Sequence, residues 1–142
     1  MKDIPITNRG NSYPRDCDHM GHMNVTSYME KFDNATWNFF SDNGLSREFL
    51  NSQQIGLAAV NQNITYKREL LPGDTITIRS ILLALEGKKI QFRSIMFFGD
   101  TSEVVAELEN LAVCIDMHKR KACNFPNKIL EKARVTLGDK PR

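Results

Sequence analysis

Cysteine is scarce in this chain: Cys17, Cys114 and Cys123 are its only three among 142 residues, an odd number without repeated spacing. That excludes a disulfide-stapled scaffold and makes free thiols in a reducing compartment the expectation. An excess of charge of one sign is also missing, since nineteen Lys+Arg face seventeen Asp+Glu for a formal net charge of +2. A dedicated nucleic-acid binder shows a strongly basic face, so that class is set aside, although a small basic patch for one phosphorylated ligand is not. Long apolar runs are absent. Ile81–Leu85 is five residues long, whereas a bilayer span takes about 20. Met1-Lys2-Asp3-Ile4-Pro5 carries an acid and a proline where a signal peptide needs an apolar stretch. The expectation is a cytoplasmic protein with neither membrane nor nucleic-acid partner, free of internal repeats and low-complexity tracts.

What is present suffices for one domain over residues 1–142, with 41% hydrophobic residues and a length near the commonest domain size. Residues 4–17 are polar and turn-rich, and one strand is expected near Ser12–Arg15. The clearest helix follows. Val25, Tyr28, Met29, Phe32, Ala35, Thr36, Phe39 and Phe40 recur at three- and four-residue steps, which puts them on one broad face. Glu30, Lys31, Asp33, Asn34 and Asn38 fall mostly on the other, and Trp37 lies off the stripe, toward a second packing surface such as a partner subunit. Asn24 is a natural N-cap, and Asn43-Gly44 is a natural stop.

A helical turn is expected at Ser46–Asn51, then strands at Gly56–Arg68, Thr75–Leu85, Lys89–Phe98 and Glu103–Met117. They are separated by the turns Leu71-Pro72-Gly73-Asp74, Gly87-Lys88 and Gly99–Ser102. A short helix from Asn127 to Arg134 precedes a polar end, expected to be disordered beyond about residue 135. One long helix followed by meandering antiparallel strands is an α+β plan, most economically a curved sheet of about five strands wrapped around the helix. The open edges of such a sheet favour dimerisation.

Chemistry concentrates in Asp16-Cys17-Asp18-His19-Met20-Gly21-His22-Met23-Asn24, directly before the long helix. A helix N-terminus stabilises negative charge, and its free N–H groups can hold a carbonyl oxygen that gains charge during acyl transfer. A carboxylate there can act as nucleophile or general base. Cys17, His19 and His22 have spacings that suit metal ligation, but a fourth ligand at zinc spacing is missing, so no metal is expected.

From Asp16 to Phe40 the chain resembles, without gaps, the opening of hotdog-fold acyl-CoA thioesterases of the 4-hydroxybenzoyl-CoA thioesterase type. The shared residues are Asp16-Cys17-Asp18, Gly21, Tyr28, Asp33, Ala35, Asn38 and Phe40. Asp18, Gly21-His22, Asn24 and Tyr28 also resemble the acyl-ACP thioesterase branch of that fold. The match covers about a fifth of the chain, and Pro72-Gly73-Asp74 before a strand is a further shared feature. Asn24 stands where the first branch has an aromatic residue, and Met20 where the second has an asparagine.

The resemblance implies hydrolysis of an acyl-CoA thioester to free acid and CoA, with CoA part of the substrate and no cofactor. It implies that Asp18 is the catalytic carboxylate, that the Val25 amide polarises the thioester carbonyl, and that His22 and Asn24 orient water or carboxylate. Tyr28 would line the acyl pocket, and Lys88 and Lys89 would meet the phosphates of CoA. Active sites would lie at the interface of a homodimer or homotetramer. An acyl-ACP thioesterase and a non-catalytic acyl-CoA-binding module are the alternatives. A dehydratase of the same fold is disfavoured, because its paired aspartate–histidine signature is absent.

Overall fold

The computed structural model describes residues 3–138. Strand β1 (Ile6–Asn11) leads through a 3-10 turn at Pro14–Asp16 and a loop into α1 (Val25–Asp42). There follow α2 (Arg47–Gln53), β2 (Ile55–Tyr66), β3 (Thr75–Glu86), β4 (Lys89–Phe98), β5 (Val104–Asp116), the two-residue β6 (Lys121–Ala122) and α3 (Asn127–Leu137). The strand order is β1-β3-β4-β5-β2, with β6 added to β5. This is the expected α+β plan.

Three features depart from expectation by more than two residues. The first strand is Ile6–Asn11, and the segment expected to hold it contains the 3-10 turn instead, because Pro14 fixes a turn dihedral and Tyr13 N–H donates to Asp16 Oδ2 at 2.9 Å. α3 continues to Leu137, beyond the expected end at Arg134, and residues 139–142 of the expected polar end lie outside the described residues. β6 was not anticipated.

The described chain divides into two compact units, each with its own core. The first comprises residues 3–39, 64–81 and 94–108. Here Tyr28, Phe32 and Ala35 of α1 pack with Met23, Leu70, Ile76, Ile78, Met96, Val105, Ala106 and Leu108. The three helix residues follow four- and three-residue steps, so one face of α1 meets the sheet. A ladder of buried hydroxyls crosses β1, β3 and β4: Thr7 Oγ1 to Ser80 Oγ at 2.9 Å and Ser80 Oγ to Ser94 Oγ at 2.7 Å, with Thr7 also donating to the Ile78 carbonyl at 3.3 Å. These pairings satisfy polar groups that would otherwise be costly to bury.

Lys31 corrects the helix-face assignment. It is buried, only 8% exposed, and its ammonium lies 3.2 Å from Asp16 Oδ2. Asn38, also assigned to the outer face, donates to the Thr7 carbonyl at 2.6 Å and so ties α1 to β1. Trp37 is about half exposed, in keeping with its place off the stripe.

The second unit comprises residues 40–63, 82–93 and 109–138. Phe40 meets Phe92 edge-on, with ring centroids 5.4 Å apart, and Ile129 and Ala133 bury the inner face of α3. Ser46 caps α2 by accepting from the Phe49 N–H at 3.2 Å.

Candidate active site

The loop before α1 is closed by its own backbone. Cys17 and Met23 form an antiparallel bridge. Inside it the Asp18 N–H donates to the His22 carbonyl at 3.2 Å, and the Gly21 N–H donates to the Asp18 carbonyl at 3.0 Å. Gly21 sits at φ +87°, in open space, a conformation that costs glycine little and other residues more. Two further bonds fasten the loop: the Met23 N–H donates to the Leu70 carbonyl and the Asn24 N–H to the Asp16 carbonyl, both at 2.8 Å. Asp18 and His22 are thereby held together at the entrance to α1.

Beneath the loop lies the Asp16–Lys31 pair. Burial works against ionisation of Asp16, but the Tyr13 N–H and the Lys31 ammonium outweigh it and hold the carboxyl below its ordinary range. Asp16 thus braces the loop against α1 through Lys31, a partner that the sequence did not reveal.

Asp18 is partly buried, and its Oδ1 accepts from the Met20 N–H at 2.9 Å. His22 Nδ1 lies 3.3 Å from the Met23 carbonyl oxygen, and its Nε2 lies 3.8 Å from Glu69 Oε1. Asn24 caps loosely, with Oδ1 3.5 Å from the Thr26 nitrogen. Val25 occupies the first position of α1 and is 55% exposed. Its amide is one of the four without an acceptor inside the helix.

His22, Met23, Val25 and Tyr28 line one side of an open cleft of about 310 Å³, and Tyr66, Lys67, Arg68 and Glu69 line the other. The Tyr28 hydroxyl donates to the Arg68 carbonyl at 3.0 Å, and its ring meets Tyr66 edge-on at 5.1 Å. Burial, foremost, pushes the Tyr28 phenol up. The Tyr28 hydroxyl proton is thus engaged on backbone while the ring borders the cleft.

Of the expected site residues, His22, Val25 and Tyr28 share one wall of the cleft, while Asp18 and Asn24 lie in the adjoining loop with their side chains on local backbone amides. Lys88 and Lys89 belong to the second unit, exposed at the β3–β4 hairpin. The far wall of the cleft, Tyr66 to Glu69, was not singled out from sequence. It runs on from the last residue of β2 without any periodic signal, and only its pairing across the fold brings it to the loop. Among the described residues no cluster of three or more His, Cys, Asp or Glu is arranged to hold a metal ion, and no helix is long and apolar enough to cross a membrane.

A long helix packed against an antiparallel sheet is the plan of a hotdog-fold thioester hydrolase. The chain belongs to the thioesterase-like superfamily, whose profile matches residues 13–133. It is similar to the long-chain acyl-CoA thioesterase FadM of Escherichia coli, with 31% identity over 111 residues, covering 78% of this chain and 83% of that protein. It is also similar to the L-carnitine dehydrogenase/betainyl-CoA thioesterase of Ruegeria pomeroyi, with 26% identity over 136 residues, covering 95% of this chain but 27% of that protein. A Staphylococcus aureus protein solved in complex with CoA shares the fold, with a TM-score of 0.86 and 19% identity over 98% of this chain and 88% of that one.

Proposed function

We propose that this thioesterase hydrolyses an acyl-CoA to the free acid and CoA with Asp18 as its catalytic carboxylate. The observation that carries the reading is the self-closed loop, which joins Asp18 to His22 through the 3.2 Å backbone bond and leads into a helix whose first residue borders the cleft. In the proposed step the Asp18 carboxylate attacks the thioester carbonyl or takes a proton from an attacking water. The carbonyl oxygen gains negative charge and is held by the Val25 N–H. The carbon–sulfur bond breaks and CoA leaves as thiolate, which takes up a proton that the water gives up. Where Asp18 itself attacks, water then cleaves the acyl–Asp18 anhydride to the free acid and restores the carboxylate. His22 and Asn24 orient the water, Tyr28 lines the acyl pocket, and neither metal nor cofactor takes part. CoA as the carrier is supported by the thioesterase names of the two sequence relatives and by the CoA complex of the fold neighbour.

The test is thiol release from a panel of acyl-CoAs spanning long-chain and small charged acyl groups, run beside Asp18→Asn. Release that collapses in the variant supports the reading, and turnover equal in both overturns it. Presenting the same acyl chain on CoA and on a carrier protein and comparing kcat/KM separates the two carriers.

Lys88 and Lys89 are proposed to meet CoA phosphates. Both are exposed at a hairpin tip in the same unit as a second basic turn, His118-Lys119-Arg120-Lys121. Replacing both lysines by alanine is expected to raise KM for CoA esters by roughly three- to tenfold with little change in kcat, because charge on a distant phosphate acts on ground state and transition state alike. Steady-state kinetics at low and moderate salt checks this.

A homodimer or a homotetramer is proposed as well. β2 ends the strand order, is largely exposed, and carries no charged residue from Ile55 to Tyr66. Edge strands that stay single are blunted by charge, proline or cover, and this one has none of the first two. Light scattering on the eluting protein is expected to give at least twice the chain mass of 16.2 kDa, and a monomer at micromolar concentration would refute the proposal.

A further inference from the structure

Away from the cleft, the second unit brings two of the three thiols together. β6 pairs with β5 through Ile115↔Ala122 and Asp116↔Lys121, and the next step of that register sets Cys114 beside Cys123. The Cys123 N–H donates to the Cys114 carbonyl at 2.9 Å, and the two Sγ atoms lie 3.6 Å apart. One backbone bond joins the two cysteines, since the Cys114 N–H donates to the Lys88 carbonyl at 2.9 Å, and facing residues of an antiparallel ladder keep their Cα atoms about 4.5–5.5 Å apart, within the range that a disulfide spans. Both cysteines are free, Cys114 buried and Cys123 partly exposed.

We propose that Cys114 and Cys123 are a redox-active dithiol, which hydrogen peroxide oxidises to an intramolecular disulfide closing the β5–β6 hairpin. Cys123 is the more accessible thiol and meets the oxidant first. Its sulfur attacks one peroxide oxygen and the O–O bond breaks. The departing hydroxide takes the thiol proton, leaving water and a Cys123 sulfenic acid. Cys114 Sγ then attacks Cys123 Sγ and the S–O bond breaks. The Cys114 proton leaves with hydroxide as a second water. Two thiols have lost two hydrogens, and one peroxide has become two waters.

The order follows from the surroundings. Burial, and then the neighbouring Cys123 thiol, push Cys114 up to about 12, so in the resting protein it stays a protonated, inert thiol. Once Cys123 is oxidised, its sulfur is already adjacent, and proximity replaces intrinsic reactivity. Between the two cysteines lies the turn carrying Met117 and His118, which border an open cleft of about 370 Å³ with Leu50, Asn51, Gln54 and Ile55. The disulfide would therefore fix one rim of that cleft.

The full chain, first reduced, is treated with hydrogen peroxide and followed by intact mass and peptide mapping. The expected result is loss of two hydrogens, a Cys114–Cys123 linked peptide, and reversal by dithiothreitol, with Cys17→Ser behaving as the wild type. Cys123→Ser, at a partly exposed position and checked for an unchanged melting curve, is expected to abolish the two-hydrogen loss. Accumulation of Cys123 sulfinic acid while Cys114 can still be alkylated after unfolding would overturn the proposal. So would a Cys123–Cys123 cross-link between two chains, or no change at a dose that oxidises Cys17.

Discussion

Asp18→Asn is expected to lower kcat for the best acyl-CoA by roughly a thousandfold, within the range of about 10²–10⁴ that a positioned acid–base group contributes. The substitution isolates the charge. Asp18 Oδ1 accepts from the Met20 N–H, and the amide oxygen of asparagine can accept the same bond, so the loop keeps its turn. What disappears is the anion proposed to attack the carbonyl or deprotonate water. KM is expected to move little, because the lost interaction belongs to the transition state. Single-turnover thiol release, with a melting curve to confirm the fold, is the measurement. An unchanged kcat would reduce Asp18 to a turn-forming residue.

Lys31→Met is expected to destabilise the protein by about 3–5 kcal/mol, the usual cost of leaving one partner of a buried ion pair uncompensated. Asp16 and Lys31 are both more than nine-tenths buried, so water cannot take over the lost contact. The replacement keeps the length of the stem, which confines the change to the charge. Its effect should depend on pH. In the wild type the Asp16 pKa is lowered by folding, so its contribution is present above the unfolded carboxyl range and is lost as pH falls through the folded value. In the variant the ammonium is gone, so burial is opposed less strongly than in the wild type. The carboxylate loses part of its stabilisation while the neutral acid loses less, and the stability difference from wild type shrinks on acidification. Lys67→Met, which breaks the more exposed Lys67–Glu107 pair, is the control, with an expected cost under about 1 kcal/mol. Denaturant melts across the acid range test both. Equal costs for the two lysines would refute the buried-pair account.

Where hydrophobic period or turn chemistry was strong, the sequence was legible. α1 was read from its apolar stripe, and β4 was placed at its observed bounds, Lys89–Phe98, because Gly87 and Gly99 bracket it. β1 was misplaced because Ile6–Asn11 lacks alternating apolar residues. Its buried member, Thr7, is polar and belongs to the hydroxyl ladder. β6, at two residues, is too short for any period to register. A lysine on a helix reads as solvated, so the burial of Lys31 emerged only with its partner fifteen residues away. For the site, the near wall of the cleft sits in one continuous stretch from His22 to Tyr28 and could be read directly. The far wall could not, because no local pattern in Tyr66-Lys67-Arg68-Glu69 says what it will face. The proximity of Cys114 and Cys123 likewise depends on a hairpin register that composition does not encode.

The hydroxyl ladder has a direction. Each of Ser94, Ser80 and Thr7 has one proton to give, and Thr7 spends its own on the Ile78 carbonyl. Ser80 must then donate to Thr7 and Ser94 to Ser80, so a backbone acceptor at one end orients hydroxyls on three strands. Removing the Thr7 hydroxyl while keeping its shape, as valine would, deprives Ser80 of its acceptor and turns its proton toward Ser94. A change made on the outermost strand, β1, is thereby felt on β4, where Ser94 is wholly buried, and the polarity of the row passes between strands that are not neighbours in the sheet.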